Sequence, residues 1–304
     1  MLTVFTSPKP FEGRIDGLQR NAIRSWLALG PGVQVMLIGD EPGMAQAATG
    51  LGVEHHRQVG RNAYGTPLVS AIFDVARAQA RFPILCYLNT DIILLDDFLP
   101  AVERVAARFD EFLVVGQRWD LDVQDRLEFE QGWPQALRRR LESSGRLHPP
   151  AGSDYFVFPR QEFTDLPQFA LGRAGWDNWM IYSGRKKRLA VVDATAAITV
   201  VHQNHDYGHL PGGQPHYRLP ESQENLQMAG GREMVFRLPD VNWVLGPTDL
   251  RHFPLGHATL GRRLESMIYL LLGPGRAARI ARILMHPAET TRYFIHRGQE
   301  PHEA

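Results

Sequence analysis

The run Ile84-Leu85-Cys86-Tyr87-Leu88 ends abruptly in Asn89-Thr90-Asp91, and no other stretch constrains the fold as much. A short apolar run that turns polar reads as a buried strand delivering its carboxyl end to a crevice, where open α/β sheets hold ligands. A second apolar run, Ile92 to Leu95, follows before Asp96-Asp97. Asp91 offers a hard oxygen ligand there, suited to a divalent metal carrying a diphosphate. The plainer alternative is that Asn89 and Asp91 only start a turn.

The chain before this strand repeats the same grammar. Leu2 to Phe5 is a first strand, closed by Thr6-Ser7-Pro8-Lys9-Pro10. Its two hydroxyls and lysine suit a nucleotide, and its two prolines equally suit a stiff turn. Leu18, Ala22, Ile23, Trp26 and Leu27 stand at helical spacing within Ile15 to Leu29, and Gly30-Pro31-Gly32 stops that helix. Val33 to Ile38 is a second strand closed by Gly39-Asp40, Met44 to Leu51 a short helix, and Val53 to His55 a third strand. Thr66 before Pro67 is a candidate N-cap for a helix carrying Leu68, Val69, Ile72, Phe73 and Ala76. Three strand–helix units thus deliver polar groups to one edge before Asp91, which predicts a Rossmann-like, mainly parallel α/β sheet with right-handed crossovers. Neither the dinucleotide glycine fingerprint nor a P-loop follows the first strand, which argues against hydride transfer and Walker-type NTP hydrolysis.

Beyond Asp91, Phe98 to Ala107 predicts a helix and Phe112 to Gly116 a strand. Asp120 to Leu147 is charge-rich, with Trp133, Leu137 and Leu141 as apolar points, and reads as a helical insertion or flap. Gly152-Ser153-Asp154 leads into a strand at Tyr155 to Phe158, and Leu171 to Gly175 leads into a helix that opens with Trp176-Asp177-Asn178-Trp179. Short strands are expected at Leu189 to Val192, Ile198 to Val201 and Val241 to Leu245. From Leu260 the tail is helical, with Leu264, Met267, Ile268, Leu271 and Leu272 in one stripe, a break at Pro274, and Ile280, Ile283 and Leu284 beyond it. Arg262, Arg263, Arg276, Arg279 and Arg282 lie nearby. Such a stripe either packs on its own domain or lies on an anionic membrane surface.

The 33 basic and 33 acidic residues cancel, so bulk charge points away from nucleic acid. Cys86 is the only cysteine, no intramolecular disulfide is possible, and no leader or membrane-spanning run is evident; a cytoplasmic location is expected, with membrane association through the basic tail as the variant.

Three polar centres fall at predicted element ends: Asp91, Asp177, and the stretch from His202 to His209 that includes His205 and Asp206. Imidazole can complete a carboxylate-led site, with Mn2+ or Mg2+ favoured over zinc by the oxygen ligand and by the lack of a cysteine cluster. Asp177 lies near two tryptophans, and apolar surroundings raise a carboxylate toward the range of a general base. Trp176 and Trp179, three residues apart, also suit simple core packing.

In their order these features resemble a glycosyltransferase of the GT-A fold, the nucleotide-diphospho-sugar transferase superfamily. Asn89-Thr90-Asp91 stands at its Asp-x-Asp position, Gly152-Ser153-Asp154-Tyr155 at its acceptor-side strand, Trp176-Asp177-Asn178 at its acidic motif, and His202, with His205 close behind, at its terminal histidine. Two departures stand out: Asn89 replaces the first aspartate, and Trp176 replaces the glutamate that usually precedes the acidic residue. The resemblance implies a catalytic domain over 1–215, with a nucleotide-binding half over about 1–118 and an acceptor-side half over about 119–215, followed by a mostly helical extension over 216–304. It implies metal-assisted sugar transfer from a nucleotide-diphosphate donor to a carbohydrate or other hydroxyl-bearing acceptor, with inversion. Asp177 is then the base; Asp91, His202 and His205 are metal ligands. Thr6, Lys9, Asp40, Asn62, Asn89 and Asp91 are donor contacts, and Asp154, Trp176 and Trp179 line the acceptor site. The rivals are a retaining glycosyltransferase, a sugar-phosphate nucleotidyltransferase without its glycine-rich loop, and a non-catalytic nucleotide- or carbohydrate-binding protein.

Overall fold

The structure is a computed structural model that describes residues 1–205, 217, 219–254 and 256–287. In chain order its elements are β1 (Leu2–Thr6), α1 (Gly13–Leu27), β2 (Val33–Ile38), α2 (Met44–Leu51), β3 (Glu54–His56), α3 (Val69–Gln79), β4 (Ile84–Leu88), β5 (Ile92–Leu94), α4 (Phe98–Ala106), β6 (Phe112–Val115), β7 (Trp119–Leu121), α5 (Trp133–Ser144), β8 (Arg146–Leu147), β9 (Tyr155–Pro159), α6 (Trp176–Lys186), β10 (Ala190–Asp193), β11 (Val200–Gln203), α7 (Pro220–Met228), β12 (Trp243–Leu245), β13 (Leu250–His252), α8 (His257–Leu272) and α9 (Arg276–Met285).

The main sheet runs β13-β12-β10-β6-β9-β4-β1-β2-β3. β1 pairs in parallel with both β2 and β4, and β2 with β3, as the three strand–helix units require. Both faces of this sheet are covered, which is why its strands read as unbroken apolar runs. Leu2, Val4 and Cys86 pack under α1 and α4 on one face, where Trp26 also donates its indole N–H to Ile92 O at 2.8 Å. Phe5, Phe73, Tyr87, Phe158 and Trp176 form an aromatic cluster on the other, with ring centroids between 5.0 and 6.4 Å apart.

The direction of one strand is open in the sequence, and two local expectations are corrected. β9 runs antiparallel between β4 and β6, so its start, not its end, meets the edge where the parallel strands finish. Thr66 does not cap α3: the bridges Arg61–Pro67 and Leu68–Ala170 hold this segment extended, and the helix begins only at Val69. The stretch from Asp120 to Leu147 is not simply helical. β7 and β8 join β5 and β11 in a second sheet of order β5-β11-β7-β8, and α5 closes over it through Leu137 and Leu141.

Towards the C-terminus β12 and β13 extend the main sheet. Asp240 is fully buried beside them and accepts hydrogen bonds from Arg262 at 2.7 and 2.8 Å and from the Ser266 hydroxyl, which ties α8 to the domain. No helix among the described residues is long and apolar enough to cross a membrane.

Candidate active site

A cleft of about 610 Å³ opens where the strand ends of both sheets converge, lined among others by Lys9, Asp91, Arg118, Asp154, Asp177, His202 and His205. β4 turns at Asn89, whose carbonyl accepts the Ile92 N–H at 3.1 Å, so β5 leaves at once for the second sheet. Asp91 sits in that turn. Its backbone carbonyl accepts from the Gln203 N–H at 3.1 Å, which brings the end of β11 against it. His202 pairs across to Ile92 in β5 and Asp120 in β7, and His205 follows three residues later, two beyond the end of β11.

Asp91 Oδ2 lies 3.0 Å from His205 Nε2 and 3.7 Å from Lys9 Nζ. Burial alone raises this carboxyl's pKa. The His205 hydrogen bond and the neighbouring His202 and Lys9 charges outweigh that and hold it well below the usual carboxylate range. Asp91, His202 and His205 each present a ligand atom within 4.8 Å of the others. Asp91 Oδ1 is buried with no hydrogen-bond partner, and buried His202 Nδ1 has only Asp120 Oδ1 nearby, at 3.4 Å. A carboxylate oxygen left over in this way beside two imidazoles fits a divalent cation by its donor chemistry. Lys9 is held at this position by buried Gln19, which accepts the Lys9 N–H at 2.8 Å and donates to its carbonyl at 2.9 Å.

Asn89 does not join this group. Its amide donates to Asp154 Oδ1 at 3.0 Å and accepts from the Tyr87 hydroxyl at 3.3 Å. Asp154 also binds Arg118 Nη1 at 2.7 Å, and Arg118 Nε donates to Asp120 Oδ1 at 2.9 Å. Asp120 reaches His148 Nδ1 at 2.8 Å and lies 3.4 Å from His202 Nδ1. Burial opposes ionisation of Asp120, yet His202, His148 and Arg118 together hold it well below the usual range. One arginine thus balances two carboxylates, and an aspartate at position 89 would place a third negative charge against Asp154. This explains the departure at Asn89 in physical terms.

Asp177 occupies the second position of α6 behind Gly175, which takes φ 104° to make the turn. Burial pushes its carboxyl up to about 6; backbone N–H groups of the helix start oppose the rise, and the Asp154 charge adds to it. Gly152 makes room for it: a Cβ there would stand 2.5 Å from Asp177 Oδ2.

The cleft therefore gathers Lys9, Asn89, Asp91, Asp154, Trp176, Asp177, His202 and His205 of the expected residues. Trp176 is almost wholly buried against Tyr87 and Phe156. Four expected residues do not present themselves there. The Thr6 hydroxyl is buried and shared with Thr90 at 2.9 Å. Asp40 is exposed and faces Arg57 at 3.8 Å, while its neighbour Glu41 lines the cleft instead. Asn62 spends its amide on Glu221 and on the Tyr64 and Thr66 N–H groups, closing its own loop. Trp179 packs edge-on against Phe169. Asp206 and His209 lie outside the described residues. Sequence reasoning missed Arg118, Asp120 and His148, although the apolar-to-polar switch from Phe112–Val115 into Gly116-Gln117-Arg118 is the same signal that marked Asp91.

No family model and no curated protein matches the chain. Among solved structures it is similar to Staphylococcus aureus TarS 1-349 in complex with UDP-GlcNAc, at 11% identity over 75% of this chain and 65% of that one, with a TM-score of 0.46. It is similar to the mannosyltransferase PcManGT from Pyrobaculum calidifontis in complex with GDP-Man and Mn2+, at 13% identity over 94% and 75%, TM-score 0.47. It is also similar to glucosyl-3-phosphoglycerate synthase from Mycobacterium tuberculosis in complex with Mn2+, UDP and phosphoglyceric acid, at 17% identity over 84% and 87%, TM-score 0.46. Two further TarS structures are matched over only 60% and 36% of their own length. At these identities and TM-scores the likenesses assign neither substrate nor mechanism. This chain's own strand order makes it a mainly parallel α/β fold with helices on both faces.

Proposed function

We propose that the chain is a glycosyltransferase of GT-A type that moves a sugar from a nucleotide-diphosphate donor to an acceptor hydroxyl with inversion. One observation carries this: a carboxyl raised to about 6, Asp177, shares a single cleft with the Asp91–His202–His205 group and Lys9. Asp91, His202 and His205 would hold the metal, and two imidazoles with one carboxylate favour manganese over magnesium. The metal, when bound, supplies Lewis-acid stabilisation to the diphosphate. The Lys9 ammonium neutralises the charge that builds on the same leaving group. Asp177, poised near neutral pH, accepts the proton of the acceptor hydroxyl as that oxygen attacks the anomeric carbon. Asp154, fixed by Arg118 and Asn89, lines the acceptor side with Trp176.

A second reading, metal-independent transfer, draws on Lys9 Nζ lying 3.3 Å from His205 Nε2 and so close to Asp91. Melting temperatures with a panel of nucleoside diphosphates and nucleotide sugars, with and without Mn2+, test both. A ligand at one hundred times its Kd stabilises the native state by about 2.7 kcal/mol. A shift that needs Mn2+ supports the first reading, and one indifferent to it the second. No shift with any nucleotide overturns the assignment.

A further inference from the structure

Helices α8 and α9 carry an apolar surface that the rest of the described residues leave exposed. In α8, Ser266 and Tyr269 are buried, whereas Leu260, Leu264, Met267 and Leu271, spaced four, three and four residues apart, are 47–80% exposed. In α9, Ala278 is buried and Met285 packs on the core, while Ile280, Ile283 and Leu284 are 40–75% exposed. With Leu272, eight of the thirteen large apolar side chains exposed among the described residues lie on this one helical pair. An ordinary surface helix turns its apolar stripe inward; these two, packed on each other, turn one outward.

The charge of the segment says what covers it. Residues 257–287 hold five arginines and one acid, Glu265; Arg262 is also paired with buried Asp240 and Arg263 lies over the Phe253 ring, so Arg276 and Arg279 carry the argument. Glu265 is engaged by Arg262, Tyr269 and His286 within the fold. Arg276 and Arg279 are exposed, and helical spacing sets them on the same side of α9 as Ile280 and Ile283. A two-fold pairing of this face would bring these arginines together with no free acid on the described residues of α8 or α9 to offset them, which disfavours a second copy of the chain. Apolar side chains interleaved with unbalanced arginines suit the boundary of a negatively charged bilayer, with the arginines at headgroup level. We propose that α8 and α9 dock the protein in the plane of an anionic membrane surface.

Flotation of the full chain with phosphatidylcholine vesicles, with and without phosphatidylglycerol, tests this. Binding is expected only to the anionic vesicles and should weaken as salt is raised. The triple variant Leu271→Ser, Ile280→Ser, Leu284→Ser should lose binding while its melting temperature holds. Arg276→Gln with Arg279→Gln should lower vesicle affinity about fivefold per arginine removed. Absence of binding to anionic vesicles overturns the proposal. So does undiminished binding by the triple variant, or a dimer in sedimentation that the triple variant abolishes without any vesicle binding. No nucleotide is present in this experiment, so its failure leaves the transferase assignment untouched.

Discussion

Replacing Asp177 by Asn separates the cost of its buried charge from its use. The carboxyl stands at about 6 against an ordinary 3.8, because burial disfavours the anion more than the helix N-terminus favours it. Native Asp177 therefore binds a proton more readily than unfolded Asp177 between those two values, and its contribution to stability falls as pH rises through that window. The displacement is worth about 3 kcal/mol once both states are ionised. Solvent at the mouth of the cleft screens part of it, leaving about 2 kcal/mol. Asp177→Asn should match the parent near pH 4 and exceed it by about 2 kcal/mol at pH 7.5. Urea unfolding of both proteins across that range reads the difference directly. Transfer should meanwhile drop by about 10²–10⁴ in kcat, the usual share of a general base. A stability difference that stays flat with pH would refute the raised carboxyl, and an undiminished kcat would refute its role.

Other substitutions probe the neighbours of this group. Asn89→Asp should destabilise the protein by about 1–3 kcal/mol, since it removes a donor to Asp154 and adds a like charge, and it should not tighten Mn2+ binding in calorimetry. Gly152→Ala should cost about 1–3 kcal/mol through the contact with Asp177 Oδ2, and should reduce kcat by tenfold or more because the base is displaced. Asp91→Ala should abolish any Mn2+-dependent rise in melting temperature. Far from the cleft, Arg262→Met should cost about 3 kcal/mol in chemical denaturation, because it leaves the Asp240 charge buried with only part of its support.

Much of this arrangement is legible in the sequence because it is local. The switch from Leu88 to Asn89 marks a strand end, and helical spacing around Trp26 and Phe73 marks what covers the sheet. His202 is found because it ends an apolar run. What escapes is decided by distant partners. A strand covered on both faces reads the same in either direction, so the reversal of β9 is set by the excursion from Gly116 to Asp154, not by Tyr155 to Phe158 themselves. Asn89 sits at a ligand's spacing, but its amide is claimed by a residue 65 positions away. Asn62 is turned from the donor by Glu221, 159 positions away. Arg118 follows an apolar-to-polar switch like the one at Asp91, and Asp120 opens a stretch whose charge density suggests a helical insertion or flap.

The contact between Asp91 and His205 spans 114 positions of chain. Contacts of such range form late, after the intervening strands have found their neighbours. Here β11 must first dock against β5 and β7 before His205 can meet Asp91. A chain cut before β11 lacks His202 and His205 and so cannot complete the group around Asp91. If the Asp91–His202–His205 group holds the proposed cation, its affinity reports completed folding, and added metal should act on refolding yield as well as on turnover.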